Sequence, residues 1–528
     1  MTAPSSHHLW ERLRAGFPAA LDTPAITTCD GPGAPLVYSW RDLERGSAMI
    51  AGVLAGLDLP AGSRVAVQVG KSVEAVMLYL AVLRAGHVFL PLNTAYREAE
   101  IGYFVGNAEP AVVVCAPEDF PWVSRIAFAA GTKNVFTLGE AREGTLLERA
   151  VFQPDTFATV PRAADDLAAI LYTSGTTGRS KGAMLTHANL VANAAVLHRF
   201  WGFEAASKAA GGPGDVLVHA LPIFHVHGLF VALHAALVSG TPMLWFARFD
   251  AAAVLRRLPA ATVFMGVPTL YVRLLAEPGL TREAVRGMRL FVSGSAPLLA
   301  ETFHAFRERT GHVILERYGM SETLMLTSNP YAPEDGERRA GTVGRALPGT
   351  SVRIHDNKGR PLPAGEVGGV EVKGPSVFKG YWRMPEKTAD DFTTDLWFKT
   401  GDVGRLDERG VLTLVGRSKD LVITGGYNVY PAEVEGAIDE LPGVAESAVI
   451  GVPHADFGEA VVALVVPRPG AAADPAAMQA AVQGALKARV AGFKVPKRVL
   501  VVPELPRNAM GKVQKNLLRE QHRTLFQA

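Results

Sequence analysis

Apolar and polar positions along this chain repeat at helical spacing in some stretches and at strand spacing in others, and the two patterns keep exchanging. From Tyr38 to Leu54 (YSWRDLERGSAMIAGVL) the apolar residues recur at helical spacing, with Ser39 where an N-cap belongs. Arg64 to Val69 (RVAVQV) predicts a strand, Val73 to Arg84 (VEAVMLYLAVLR) a buried helix, and Ala111 to Cys115 (AVVVC) a further strand. Such alternation predicts parallel sheets covered by helices. Leu167 to Leu171 (LAAIL) predicts a strand that empties into Tyr172 to Gly182 (YTSGTTGRSKG), at the kind of exit where such sheets place ligands. A small-residue surface loop follows at Glu204 to Asp215, and alternation resumes as far as Leu290 to Ser293 (LFVS).

The pattern changes from Gly341 to Gly416, where short alternating runs (VRIHD, GGVEVKG, VLTLVG) separated by Gly and Pro predict a compact β region. Beyond it, Glu433 to Ile438, Glu446 to Val452, Ala460 to Pro467 and Ala477 to Val490 predict helix, strand, strand and helix, enough for an independent α+β domain. The expected fold is α/β. Residues 1–418 form a large domain of layered sheets and helices with a β-barrel-like subdomain, and residues 419–528 a small α+β domain.

Composition narrows the class. At 528 residues, 48% of them apolar, the chain has material for two or more domains. A net charge of +2 with interspersed signs argues against a nucleic-acid surface or a polybasic membrane anchor. Cys29 and Cys115 are too few for a disulfide framework or a thiolate metal site, which fits a reducing compartment, and the cytoplasm is the expected location. The N-terminus has no apolar core and contains Glu11, so no secretory signal is expected. Val216 to Ala247 contains no Asp, Glu, Lys or Arg, but Pro222, Pro242, Gly228, Gly240 and four histidines interrupt it. Buried strands and a core helix are expected there rather than a membrane span.

The loop from Tyr172 to Gly182 has three Gly, three Thr, two Ser and a Lys. Glycines let backbone N–H groups approach phosphate oxygens, hydroxyls add donors, and Arg179 and Lys181 add charge. Ser180 occupies the place where a P-loop needs its second Gly, so Walker-type mechanics do not apply. In PIFHVHG, His225 and His227 would share one face of a strand, half of a metal site. No partner pair with matching spacing accompanies them, which favours a polar pocket wall over a metal.

That loop occurs together with SGSAP (Ser293 to Pro297), ERYGMSET (Glu316 to Thr323), KTGD (Lys399 to Asp402), GRSKDLVITGG (Gly416 to Gly426) and PRNAMGK (Pro506 to Lys512). Six motifs in this order make the chain resemble the adenylate-forming family of acyl-CoA synthetases, adenylation domains and luciferases, over essentially its whole length. The resemblance implies ATP, Mg²⁺ and coenzyme A. It also implies that Thr173, Ser174, Gly175, Thr176, Thr177 and Lys181 bracket the β- and γ-phosphates, and that Glu322 binds Mg²⁺. Ser321 stands where the family usually has Thr and keeps the hydroxyl. Tyr318 offers a face to adenine, flanked by Ser295, Ala296 and Pro297 and by Glu316 and Gly319. Asp402 accepts the ribose hydroxyls, and Arg417 donates to ribose or phosphate. Lys512 is the implied catalytic cation, swinging onto the α-phosphate and the substrate carboxylate. The C-terminal domain is accordingly mobile, turning about Lys419 and Asp420 to open a thiol path beside Gly425, Gly426 and Tyr427.

Within the family the resemblance is closest to malonyl-CoA synthetases, through GVPTLYVR (Gly266 to Arg273), LFVSGSAPLL, LERYGM and KDLVITGGYNVYP. Arg317 puts a guanidinium beside the adenylate motif and Arg273 supplies a second. A buried cation demands an anionic partner, which the distal carboxylate of a short dicarboxylate provides, with a hydroxyl bond from Ser295. The competing reading pairs Arg317 internally with Glu316 or Glu322. His225 lines the pocket, while Val226 and Met320 limit branching between the carboxylates. Malonate is expected to fit best, methylmalonate next. Other readings are a ligase for another short carboxylate, an adenylation enzyme loading a separate carrier protein, a luciferase-like oxygenase, and an inactive malonate or nucleotide sensor. Intact Glu322, Asp402, Arg417 and Lys512 argue against the last. Expected partners are small molecules, with no nucleic acid and no membrane, and the chain a monomer or weak homo-oligomer.

Overall fold

The predicted helix after Tyr38 spans Trp40–Ala55, and Ser39 caps it reciprocally. The Asp42 N–H donates to the Ser39 hydroxyl (3.1 Å), and the Ser39 N–H donates to the Asp42 carboxylate (2.7 Å). The structure is a computed structural model that describes residues 7–30, 34–173, 180–203, 214–425, 427–470, 474–508 and 511–526, with Asn428 described by its backbone alone. Val73–Arg84 is a helix buried along its whole length and packed on Trp40–Ala55, as its all-round apolar sequence requires.

Two large sheets carry the first four hundred residues. In one, the strands run in the order Gly380–Tyr381, Lys181–Thr186, Leu167–Thr173, Val88–Pro91, Arg64–Gln68, Val112–Cys115 and Asn134–Thr137. The last five are parallel and mostly buried, which is why they read as continuous apolar runs. In the other, the order is Arg345–Ala346, Leu324–Ser328, Leu315–Met320, Leu290–Ser293, Val263–Gly266, Leu217–His219, Met243–Trp245, Pro24–Thr28 and Val37–Ser39. The β region expected from Gly341 contains a four-stranded antiparallel sheet, Ser351–His355, Gly368–Lys373, Phe398–Leu406 and Leu412–Arg417.

A separate apolar cluster runs from Val422 to Val499, built on the sheet of Tyr427–Val429, Val422–Thr424, Gly458–Pro467, Val444–His454 and Arg498–Val501. Between it and Leu412–Arg417 lies one 3₁₀ turn, Ser418–Asp420, which holds both expected hinge residues. Lys419 is exposed there, and the half-buried Asp420 is paired with Arg519 (3.0 Å).

One local expectation is corrected. His225 and His227 do not lie on a strand: residues 223–225 turn, the backbone is helical from Val226, and His227–Leu233 is a π-helix continuing into the α-helix His234–Ser239. A strand would need a paired edge, whereas here the Leu229 N–H donates to the His225 carbonyl (2.9 Å) and starts a helical turn. Gly228 permits the turn, since a Cβ there would stand 2.1 Å from the Pro222 carbonyl oxygen. Among the described residues no helix is long and apolar enough to cross a membrane.

Candidate active site

The two large sheets deliver their chemistry to one cleft. Thr173 and Lys181 are opposite partners at the open end of the antiparallel pair Leu167–Thr173 and Lys181–Thr186. Ser174, Gly175, Thr176 and Thr177, and on the other domain Gly426, lie outside the described residues. Lys181 lies 3.7 Å from Asp391 and 4.3 Å from the centre of the Tyr381 ring. The Tyr381 hydroxyl donates to Glu322 (3.2 Å). Burial pushes the Glu322 carboxyl up, and Lys181, Arg417 and Tyr381 oppose the push. Glu322 is thus a carboxylate oxygen donor near the Lys181 ammonium, a fit for Mg²⁺, which takes one or two carboxylates and completes its shell with phosphate oxygens and water.

Tyr318, Asp402 and Arg417 form one unit. The Tyr318 hydroxyl donates to one Asp402 oxygen, and Arg417 forms an ion pair with the other (Nε to Oδ1, 2.8 Å). Strand register sets this up, because Asp402 and Arg417 are direct partners across the antiparallel pair Phe398–Leu406 and Leu412–Arg417. Each carboxylate oxygen keeps a further lone pair with which to accept a hydroxyl. Gly319 has no room for a side chain, since a Cβ would stand 1.9 Å from the Leu324 carbonyl oxygen, and the register shifts there. Ser321 is half-buried in the turn that follows.

Lys512 reaches this cleft from the other domain. Its side chain stays open to water in the cleft, yet protein surrounds it: burial first, then Arg417, pulls its ammonium down to about 8, and Asp402 and Glu322 pull the other way. The preceding Gly511 rests on the N-terminal portion, with Thr269 Oγ1 3.3 Å from where its Cβ would be.

Arg317 closes the far end. It is 3% exposed, and its Nε and Nη2 have no hydrogen-bond partner. Glu316 does not pair with it: one Glu316 oxygen accepts the Leu298 N–H (3.0 Å), the other is unpartnered, and burial lifts the carboxyl to about 8. Successive strand residues point to opposite faces, which separates the two. No ion pair joins Arg317 to Glu322 among the described residues, so the internal-pairing reading fails. Burial draws Arg317 down to about 9, leaving it charged at neutral pH. Gly294 makes room for it, because a Cβ at 294 would stand 2.5 Å from the guanidinium carbon.

Around that guanidinium the walls are neutral donors and apolar groups. Burial drops His225 to about 3 and holds His227 well below the usual imidazole range, with Arg317 among the charges pushing the same way. His227 Nδ1 is 3.3 Å from the Ser295 hydroxyl, and the His227 N–H donates to His225 Nδ1 (3.3 Å). Ser295 sits at φ +72°, a left-handed conformation that non-glycine residues seldom adopt outside functional turns. Ala296 is half-buried and Pro297 exposed, while Val226 is buried and Met320 half-buried. Arg273 is exposed on the helix Pro268–Ala276, one turn from Thr269, and no contact brings it to Arg317. Gly425 turns at φ +57°, and the exposed Tyr427 ring stacks on Phe493 at 4.7 Å. Tyr381, Asp391 and Thr269 were not singled out from the sequence; each acts across more than forty residues, and no local spacing marks them.

The AMP-binding enzyme family matches residues 19–382, and the C-terminal domain of AMP-binding enzymes matches residues 433–512. The chain belongs to the AMP-binding enzyme family. The ATP-bound crystal structure of MatB from Rhodopseudomonas palustris is 51% identical, covers 99% of this chain and 100% of its own, and superposes with a TM-score of 0.93. The malonate–CoA ligase of Arabidopsis thaliana is 35% identical over 489 residues, 87% of this chain and 78% of the relative. The sulfoacetate–CoA ligase of Cupriavidus necator is also 35% identical, over 498 residues and 94% of each chain.

Proposed function

We propose that this AMP-forming acid–thiol ligase takes malonate as its acid, joining it to coenzyme A at the expense of ATP, with methylmalonate the next best substrate. The observation that carries the reading is the buried, charged, unpartnered guanidinium of Arg317, walled by neutral histidines. A fatty acid would leave that charge unpaired in a dry pocket, at a cost of several kcal/mol. A short dianion removes the cost. Relatives named for malonate and sulfoacetate, both short and doubly anionic, support the same substrate class.

A carboxylate alone acylates poorly because oxide would have to leave. One malonate carboxylate oxygen bonds to the α-phosphorus of ATP, pyrophosphate departs, and malonyl-AMP results. Lys512 supplies a point charge where negative charge grows on the α-phosphate and entering carboxylate. Lys181 steadies the departing pyrophosphate, Glu322 holds Mg²⁺, which neutralises phosphate charge, and Asp402 with Arg417 fixes the ribose. Arg317 and the Ser295 hydroxyl bind the distal carboxylate, which sets the length of the acid. In the second half-reaction the coenzyme A thiolate attacks the malonyl carbonyl, AMP leaves, and malonyl-CoA forms. The C-terminal portion turns about Lys419 and Asp420 between the halves, and the thiol enters past Gly425 and Tyr427.

Pyrophosphate release compared across malonate, methylmalonate, sulfoacetate, succinate, acetate and octanoate tests the assignment. Malonate is expected to give the highest kcat/KM, and a preference for octanoate or acetate would overturn it.

A further inference from the structure

The catalytic role given to Lys512 requires that its ammonium arrive at a defined point, although it sits on a Gly-containing turn near the end of the chain. We infer that Arg507 and Glu446 form a clasp that sets the position of Lys512, making them positioning residues for adenylation. The inference rests on the reading of Lys512 above.

The turn has two arms and Arg507 ties both. Arg507 and Val513 are opposed in an antiparallel bridge that defines its base. Inside it, the Asn508 N–H donates to the Lys512 carbonyl (2.9 Å), the Gly511 N–H to the Asn508 carbonyl (2.8 Å), and the Lys512 N–H to the Asn508 side-chain oxygen (3.0 Å). The Arg507 guanidinium leaves the first arm and donates through Nη1 to the Gly511 carbonyl (2.5 Å), the residue directly before Lys512. Through Nη2 it donates to Glu446. Glu446 belongs to the eleven-residue strand Val444–His454, the longest of the C-terminal sheet among the described residues. The fork therefore joins the carbonyl next to Lys512 to a rigid strand, which a point-charge lysine could not do with the same geometry.

Both partners are about one-third exposed, so the pair adds little to folding stability. Its consequence lies in placement. A displacement near 1 Å of a reacting or charge-stabilising group costs on the order of a hundredfold in rate. Gly511 also lies beside Thr269, whose Oγ1 would stand 3.3 Å from a Cβ at 511, so a turn that slips at this carbonyl slips where the two portions meet.

The test separates the half-reactions of the full-length enzyme. Adenylation is read as malonate-dependent ATP–pyrophosphate exchange, and thioester formation as malonyl-CoA from preformed malonyl-AMP. Arg507→Ala is expected to lower the exchange rate by about ten- to a hundredfold. ATP and malonate KM, thioester formation and Tm stay near wild type. Glu446→Gln reproduces the direction, and Arg507→Lys recovers part of the loss. Equal loss in both half-reactions, or full adenylation in Arg507→Ala and Glu446→Gln, overturns the clasp. Lys512→Ala run alongside separates the two ideas. If it spares adenylation, the role of Lys512 fails; if it abolishes adenylation alone while Arg507→Ala does not discriminate, only the clasp fails.

Discussion

Arg317 and Lys512 are the two cations whose surroundings decide what this cleft can do, and they are tuned oppositely. Arg317 stays charged because guanidinium basicity starts so high that burial brings it only to about 9. Truncating it to Ala should cost kcat/KM for malonate about 2 to 3 kcal/mol, roughly 30- to 150-fold, the usual range for one partner of a buried charged contact. Acetate, which has no distal carboxylate, should lose nothing. Unchanged malonate turnover would make Arg317 structural. Lys512 sits at about 8, so its protonated fraction falls as pH rises through that value. In the proposed mechanism only the ammonium stabilises the α-phosphate, so kcat/KM for adenylation without coenzyme A should decline above pH 8, reporting the free enzyme. Lys512→Arg stays protonated throughout and should lose that limb whatever its absolute rate. Retention of the limb in that variant would place the titration elsewhere.

Elements, rather than single residues, convert these charges into a site, and here the sequence was legible to different depths. Val73–Arg84 and Leu290–Ser293 fall where periodicity puts them because each lies wholly inside the core, where side-chain pattern and burial are the same information. The motifs at 293–297, 316–323 and 399–402 likewise mark real turns and strand ends around one cleft. The histidines at 225 and 227 were misread because a period-two spacing in an apolar run cannot reveal a π-helical turn, which depends on Gly228 meeting the Pro222 carbonyl. Tyr381 was invisible for another reason. Its link to Glu322 exists because the edge strand Gly380–Tyr381 pairs with Lys181–Thr186, a partnership between segments far apart in the sequence. The turn after Leu290–Ser293 gives an element-level prediction. Gly294→Ala would drive a methyl against the Arg317 guanidinium, whose tip yields more readily than backbone. The expected result is a folded protein with Tm near wild type and a loss of malonate kcat/KM on the order of tenfold or more, since the guanidinium is displaced. Wild-type malonate kinetics in Gly294→Ala would mean the pocket tolerates a shifted arginine.

Across the whole molecule, the arrangement that brings Lys512 among Asp402, Glu322, Arg417 and Arg317 is the one that the proposed role of Lys512 in adenylation requires, and it superposes closely on an ATP-bound relative. Lys512 itself need not hold that pose, because an independent contact spans the two portions. Arg468 follows the strand Gly458–Pro467 and donates through Nη2 to both oxygens of Glu301, at 2.8 and 2.7 Å, on the helix Ala300–Thr310. Its Nε donates to the Val444 carbonyl (2.9 Å), which fixes the guanidinium on its own side. Both side chains are about half exposed, so the pair contributes at most about 1 kcal/mol, roughly fivefold in the balance between poses. That size suits a contact that the proposed rotation would break once per turnover. Arg468→Ala should therefore slow adenylation up to about fivefold while leaving thioester formation from malonyl-AMP equal or faster. The difference should shrink as salt rises toward 1 M, where screening acts over about 3 Å. A fall of the same size in both half-reactions, or one insensitive to salt, would make the Arg468–Glu301 contact part of the general scaffold and leave the choice of pose to the ligands.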